Sequence, residues 1–448
     1  MKSNAPLLKA IGVASAGDPY LPESGNSGYH VTHYDLDVDY RVSSNRLSGA
    51  VRIAAIADER LERFTLDLCG LTASKVSVNG ERAAKVTQSP TKLTIRTAAP
   101  VEAGAGFTIA IRYAGSPSPR NTAWGDVGWE ELSEGVLVAG QPSGAPSWFP
   151  CNDHPSDKAT FRTAVTADSS YRVIANGRLV SRTVKSSRTR WVFETAEPLA
   201  SYLATVQIGH YEAAELPPAS IPQHAFIPRD LRADFAADFA EQPAMIALFE
   251  QAFGPYPFSD YTVVVTDDDL EIPLEAHGIS VFGRNHVDGH RGSNRLVAHE
   301  LAHSWFGNSL TVSAWQHIWL HEGFACYAEW LWSEASGGPS AHRFAEQQWG
   351  KLKTLPQDLV IGDPGPELMF DDRLYKRGAL ALHALRLSIG DRAFFETLRA
   401  WTTAKRHGSV STEEFLDHVA TRNGDPTRVL LSAWLFETAL PPLPKPRR

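Results

Sequence analysis

The apolar positions in the first half of the chain fall on every second residue. Tyr34, Leu36, Val38 and Tyr40 alternate with Asp35, Asp37 and Asp39, the period of a strand with one face in water. Phe64, Leu66 and Leu68 repeat the pattern, and so do Phe107, Ile109, Ile111 and Tyr113. Val76 and Val78 run into Asn79-Gly80, two residues suited to the positive φ of a tight hairpin turn. Asn176-Gly177 marks another turn after Val173 and Ile174, and short strands continue through Trp191-Val192-Phe193 and residues 202–208. Residues 1–212 therefore predict an antiparallel β domain of sandwich-like character.

The period then changes. Pro217-Pro218 and Pro222 suggest a linker, and after Asp230 apolar residues recur at helical spacing through Met245, Leu248, Phe249 and Phe253, up to Pro255 and Pro257. Residues 261–266 are a β-branched strand, Asp267-Asp268-Asp269 a solvated turn, and residues 278–282 a further strand. Beyond it the chain is mostly helix. Residues 319–332 stop at Gly337-Gly338, residues 375–387 stop at Gly390, and Ser411-Thr412-Glu413-Glu414 is a capping box. The tail, residues 441–448, is Pro-rich and expected to be irregular. The pattern predicts a multi-domain α+β protein, with an α-rich domain over residues 213–448.

Chemistry enters in Val297-Ala298-His299-Glu300-Leu301-Ala302-His303. Residues four apart on a helix project from nearly one face, so His299 and His303 can hold one metal ion, with Glu300 close enough to reach a water beside it. The same pentapeptide also fits an amphipathic helix with two ordinary histidines. A zinc peptidase needs a third ligand from a second helix. Glu322, in Trp319-Leu320-His321-Glu322-Gly323-Phe324-Ala325, follows His303 after 18 residues and sits in an apolar, aromatic segment that disfavours exposure.

With H-E-L-A-H-x18-E and the following G-F-A in place, the chain resembles the aminopeptidase N family of zinc metallopeptidases, which includes the leukotriene hydrolases. Trp305-Phe306-Gly307-Asn308 and Trp319-Leu320 look like the family's helix flanks. Trp148-Phe149-Pro150-Cys151 with Asp153, Pro155 and Lys158-Ala159-Thr160-Phe161 looks like its N-terminal signature, and Phe253-Gly254 with Tyr256-Pro257-Phe258 also fits. The resemblance implies a thermolysin-like catalytic domain with one Zn2+ on His299, His303 and Glu322, and Glu300 as general base. It further implies that Tyr375 stabilises the oxyanion. Glu275, the residue left from a G-A-M-E-N strand that here reads Ile272-Pro273-Leu274-Glu275-Ala276, would grip the substrate's α-ammonium, helped by Gln141.

The implied activity is hydrolysis of the N-terminal peptide bond of peptides with a free N-terminus. The alternatives are an endopeptidase, a lipid epoxide hydrolase, or a non-catalytic binding protein on a peptidase fold. Family members usually continue into a large helical domain that closes the site. The chain reaches Leu440–Pro444 about where the catalytic domain should end, a short form with an expected open cleft. His286, His290, His317, His321 and Cys326 read as structural. Glu329, two helical turns beyond Glu322, is a possible partner of a ligand.

Charge and composition narrow the partners. A net charge of -8 argues against general nucleic-acid binding, which needs a basic footprint. Cys69, Cys151 and Cys326 are odd in number and widely spaced, so they predict no disulfide framework. Residues 1–17 make a poor leader, because Lys9 interrupts the apolar run, and no stretch reaches transmembrane length. A monomeric cytoplasmic enzyme without membrane partners is the expectation, secretion the alternative.

Overall fold

The structure is a computed structural model and describes residues 14–445. Lys2 and Lys9, on which the reading of a leader rests, lie outside the described residues, as do residues 446–448 of the tail. The chain forms two compact units that divide between Ile208 and Gly209.

The alternating strand of the first unit is Tyr29–Arg41, with Tyr34, Leu36, Val38 and Tyr40 buried and the aspartates turned outward. It lies within a nine-stranded sheet whose path runs Arg178–Lys185, Arg188–Glu194, Lys158–Asp168, Tyr29–Arg41, Arg46–Ala57, Gly106–Gly115, Thr72–Val78 and Glu81–Arg82, with the ninth strand, Leu199–Ala200, paired to Lys158–Asp168 off this path. Its paired neighbours are antiparallel except Tyr29–Arg41 and Lys158–Asp168, which run parallel with Leu36 beside Thr163. Parallel neighbours cannot be joined by a tight turn, and here they come from opposite ends of the unit's sequence.

Asn79 and Gly80 have φ of 52° and 83° and join Thr72–Val78 to Glu81–Arg82 as a hairpin. Asn176-Gly177 is a turn of another kind. The strand before it, Arg172–Ala175, belongs to a five-stranded sheet and the strand after it to the nine-stranded one. The layers meet through aromatic rings: Tyr29 packs edge-on against Phe64 of a three-stranded sheet at 5.6 Å, and Tyr40 against Trp129 at 4.8 Å.

The signature segment serves this unit's interior. Trp148 and Phe149 are buried with ring centroids 4.4 Å apart. Asp153 donates its N–H to Asp67 at 3.0 Å and accepts from the Ser201 hydroxyl at 2.6 Å. Asp67 in turn accepts from Lys92 at 2.6 Å.

The second unit sets helices against a five-stranded sheet ordered Glu212–Ala214, Gln223–Ile227, Tyr261–Val265, Ile279–Phe282, Leu274–Ala276. Leu274–Ala276 is an edge strand, antiparallel to Ile279–Phe282, with Glu275 opposite Ser280. The helix Gln242–Phe253 ends at Gly254, ahead of Pro255. Trp305, just past the zinc-motif helix, donates its indole N–H to the Gly254 carbonyl at 3.0 Å and stacks edge-on against Phe253. The capping box forms: Glu414 N–H reaches Ser411 Oγ at 3.3 Å and Ser411 N–H reaches Glu414 Oε2 at 2.8 Å. Asp267 of the acidic run is exposed and paired with Arg284, as a solvated turn should be. Among the described residues, no helix is long and apolar enough to cross a membrane.

Candidate active site

Three helices build the site. Asn294–Ala302 carries His299 and Glu300, and His303 is its C-cap, still in helical conformation. The two imidazoles therefore sit one turn apart, with ring centroids 4.9 Å from each other. The helix Trp319–Ala335 supplies Glu322. Its Oε2 lies 3.5 Å from His299 Nε2 and 3.7 Å from His303 Nε2. Asp372–Ile389 brings Tyr375, whose ring lies 6.1 Å from that of His299.

The other face of each imidazole is spoken for. His299 Nδ1 lies 2.7 Å from Glu329 Oε1, and both oxygens of Glu329 accept from Arg295 at 3.0 Å. His303 Nδ1 lies 2.9 Å from the Phe306 carbonyl. Acceptors at both Nδ1 atoms hold a proton there and turn each Nε2, the nitrogen placed to ligate, toward Glu322. His299, His303 and Glu322 are all buried, with ligand atoms within 4.8 Å of one another. Ligands about 2 Å from a tetrahedral zinc lie roughly 3.4 Å apart, so the donor set and its spacing fit Zn2+.

Electrostatics follow from this crowding. Burial would lower the pKa of His299, but Glu322 and Glu329 outweigh it and push it up to about 10. Burial works in the opposite sense on Glu322, where His303 and His299 prevail and hold the carboxyl below its ordinary value. In Glu300 burial wins, with help from Glu275 and Glu322 and against both histidines, and the pKa rises to about 7. Its buried Oε2 has no hydrogen-bond partner. Glu275 is likewise raised, by burial first, and it forms with Glu300 and His303 a second group within 4.8 Å. Tyr375 is kept protonated far above 10 by burial and then by the three glutamates around it.

Of the residues singled out in the sequence, His299, Glu300, His303, Glu322, Glu275 and Tyr375 thus converge in the second unit. Gln141 belongs to the first unit, just after the strand Gly135–Ala139. His321 Nε2 accepts the Val312 N–H at 2.9 Å, His317 bonds Thr412 Oγ1 at 3.0 Å, and His286 accepts the Gly283 N–H at 3.1 Å; all three have structural partners. Cys326 is a buried free thiol beside Lys376 Nζ at 3.6 Å. Glu329 turns out to orient a ligand, and its only sequence signal is its spacing of two turns from Glu322. Arg295 had no sequence signal, and Asn308 reads in the sequence only as part of a helix flank. Asn308 donates to the Ala276 carbonyl at 2.9 Å and so ties the Glu275 strand to the end of the zinc-motif helix.

Comparison with known proteins agrees with this geometry. Residues 30–203 match the peptidase M1 N-terminal domain and residues 237–434 the peptidase family M1 domain. The crystal structure of an M1 zinc metallopeptidase from Deinococcus radiodurans is 32% identical, covering 97% of this chain and 100% of that one with a TM-score of 0.88. A mutant of the D. radiodurans protein bound to a Tyr-Ser-Ala substrate superposes equally well, at 31% identity. Aminopeptidase 2, mitochondrial, of Saccharomyces cerevisiae is 21% identical over 91% of this chain and 46% of its own length. The chain thus spans about half the length of the curated relatives it matches, or less.

Proposed function

Because this chain belongs to the M1 family of zinc metallopeptidases, we propose that it is an aminopeptidase, removing the N-terminal residue of peptides. The observation that carries this reading is the place of Glu275, with carboxylate oxygens of Glu275 and Glu300 and a nitrogen of His303 within 4.8 Å of one another. Two glutamates this close to the metal ligands favour a cation between them and the scissile bond, and a free α-ammonium is that cation. A substrate anchored there is cut one residue from its end.

His299, His303 and Glu322 would hold Zn2+, which when bound acidifies a water molecule and polarises the scissile carbonyl. Glu300 Oε2, buried and unpartnered, takes the proton of the attacking water and delivers it to the leaving nitrogen. Burial raises this carboxyl above its ordinary value and so makes it a readier proton acceptor than an exposed glutamate. The Tyr375 hydroxyl, held protonated, donates to the oxygen that gains negative charge as the carbonyl is attacked.

The reading is tested with a free-amine peptide and its N-acetylated twin. The free amine should be cut much faster; equal rates would replace the aminopeptidase with an endopeptidase. Glu300→Gln should retain zinc and lose activity by about 100-fold or more.

A further inference from the structure

The nine-stranded sheet of the first unit turns a strongly cationic face to solvent, in a protein whose net charge is -8. Arg52, Lys75, Arg82 and Arg112 of this sheet, with Lys85 of the strand Lys85–Gln88 in the three-stranded sheet, line a trench of about 1300 Å³. Strand register fixes their order. Arg112 stands directly across from Lys75, an opposition of like charges that weakens a sheet. On the neighbouring rung Asp35, Arg52, Ala110, Ser77 and Arg82 follow one another across five strands. The carboxylates of this face are already engaged, Asp35 with Arg162 at 2.8 Å and Asp37 with Arg190 at 2.7 Å. Among the described residues, no carboxylate pairs with any of the five cations. Nothing in the zinc chemistry uses them.

We propose that this face binds an acidic polypeptide segment in extended form. The floor between the cations is Ala50, Ala110 and Ser77, small enough for a backbone to come close. Carboxylates on alternate residues of an extended chain are about 7 Å apart, within reach of successive arginine and lysine tips, and arginine pairs carboxylates with two hydrogen bonds. The trench has no aromatic lining residue, and single-stranded nucleic acid is held largely by base stacking on aromatic rings. A concave surface also cannot be pressed onto a flat bilayer. The complementary charge therefore belongs to a peptide.

The test is fluorescence anisotropy with an N-acetylated, labelled deca-glutamate, so that binding is read apart from hydrolysis. The full chain should bind it saturably at low salt, and affinity should fall steeply as salt rises. The triple variant Arg52→Glu, Lys75→Glu, Arg112→Glu should weaken binding at least tenfold with an unchanged melting temperature. If charge reversal unfolds the first unit, the Arg52→Gln, Lys75→Gln, Arg112→Gln variant replaces it, with the same tenfold loss expected. No saturable binding at low salt, or affinity unaffected by the variants, overturns the proposal. So does tighter binding of a single-stranded DNA decamer or of phosphatidylserine vesicles.

Discussion

At the scale of single residues, the site depends on groups that never meet the substrate. His299 is held from behind by Glu329, and Glu329 by Arg295. An imidazole anchored this way presents Nε2 in one orientation and as one tautomer, and losing such an anchor typically weakens metal binding 10- to 100-fold. Glu329→Gln should therefore raise the zinc dissociation constant by about that factor in a zinc-buffered titration, with activity largely restored by excess zinc. Unchanged zinc affinity would show that the helices alone orient the ring. Glu329 acts here as a positioning residue, through His299.

At the scale of elements, the meeting of two helices brings Glu322 and Tyr375 together. Trp319–Ala335 and Asp372–Ile389 cross at Gly323 and Gly378, where a Cβ built on Gly378 would lie 2.7 Å from the Gly323 Cα. Both contacts are backbone, so neither can swing aside. Gly378→Ala should push the helices apart, at about 1–3 kcal/mol in stability, and carry Tyr375 away from Glu322, three residues from the crossing on each helix or fewer. A lowered melting temperature together with reduced kcat is expected; wild-type values of both would mean that the crossing tolerates the methyl group. In the sequence Gly323 looks like a family flank and Gly378 like any helical glycine. The reason for both is the close approach of two backbones that neither segment encodes by itself.

At the scale of the whole molecule, the chain keeps two polar interiors, and the one without zinc chemistry has its own pH response. Burial raises the carboxyls of Asp153 and Asp157 in the first unit to about 7. A carboxyl harder to ionise folded than unfolded keeps its proton in the folded state between about pH 4 and pH 7. Its contribution to stability is complete below that window and is lost as pH rises through about 7. Lys158, lowered by burial to about 7, works above the window and in the opposite sense. The margin in melting temperature of the wild type over Asp153→Asn should therefore shrink from about pH 5 to about pH 8. A margin that does not change with pH would place Asp153 outside this titration.

Alternation marked strands such as Tyr29–Arg41 and Gly106–Gly115 without any reference to tertiary structure, because a strand with one wet face repeats every two residues; the strand expected through residues 202–208 is instead a 3-10 turn at Ser201–Leu203 followed by the short strand Val206–Gly209. The pentapeptide His299–His303 determined two ligands and a base, because one helical turn sets their spacing. Glu322 and the aminopeptidase resemblance were legible for the same reason: they lie in local motifs. Tertiary structure decided the rest. It paired Tyr29–Arg41 with Lys158–Asp168 in parallel, put Asn308 on the Glu275 strand, and set Glu329 behind His299. It also gathered Arg52, Lys75, Arg82, Lys85 and Arg112 from separate strands around one trench. Each of these joins segments far apart in sequence, and such contacts are fixed by how sheets and helices pack, which no local period records.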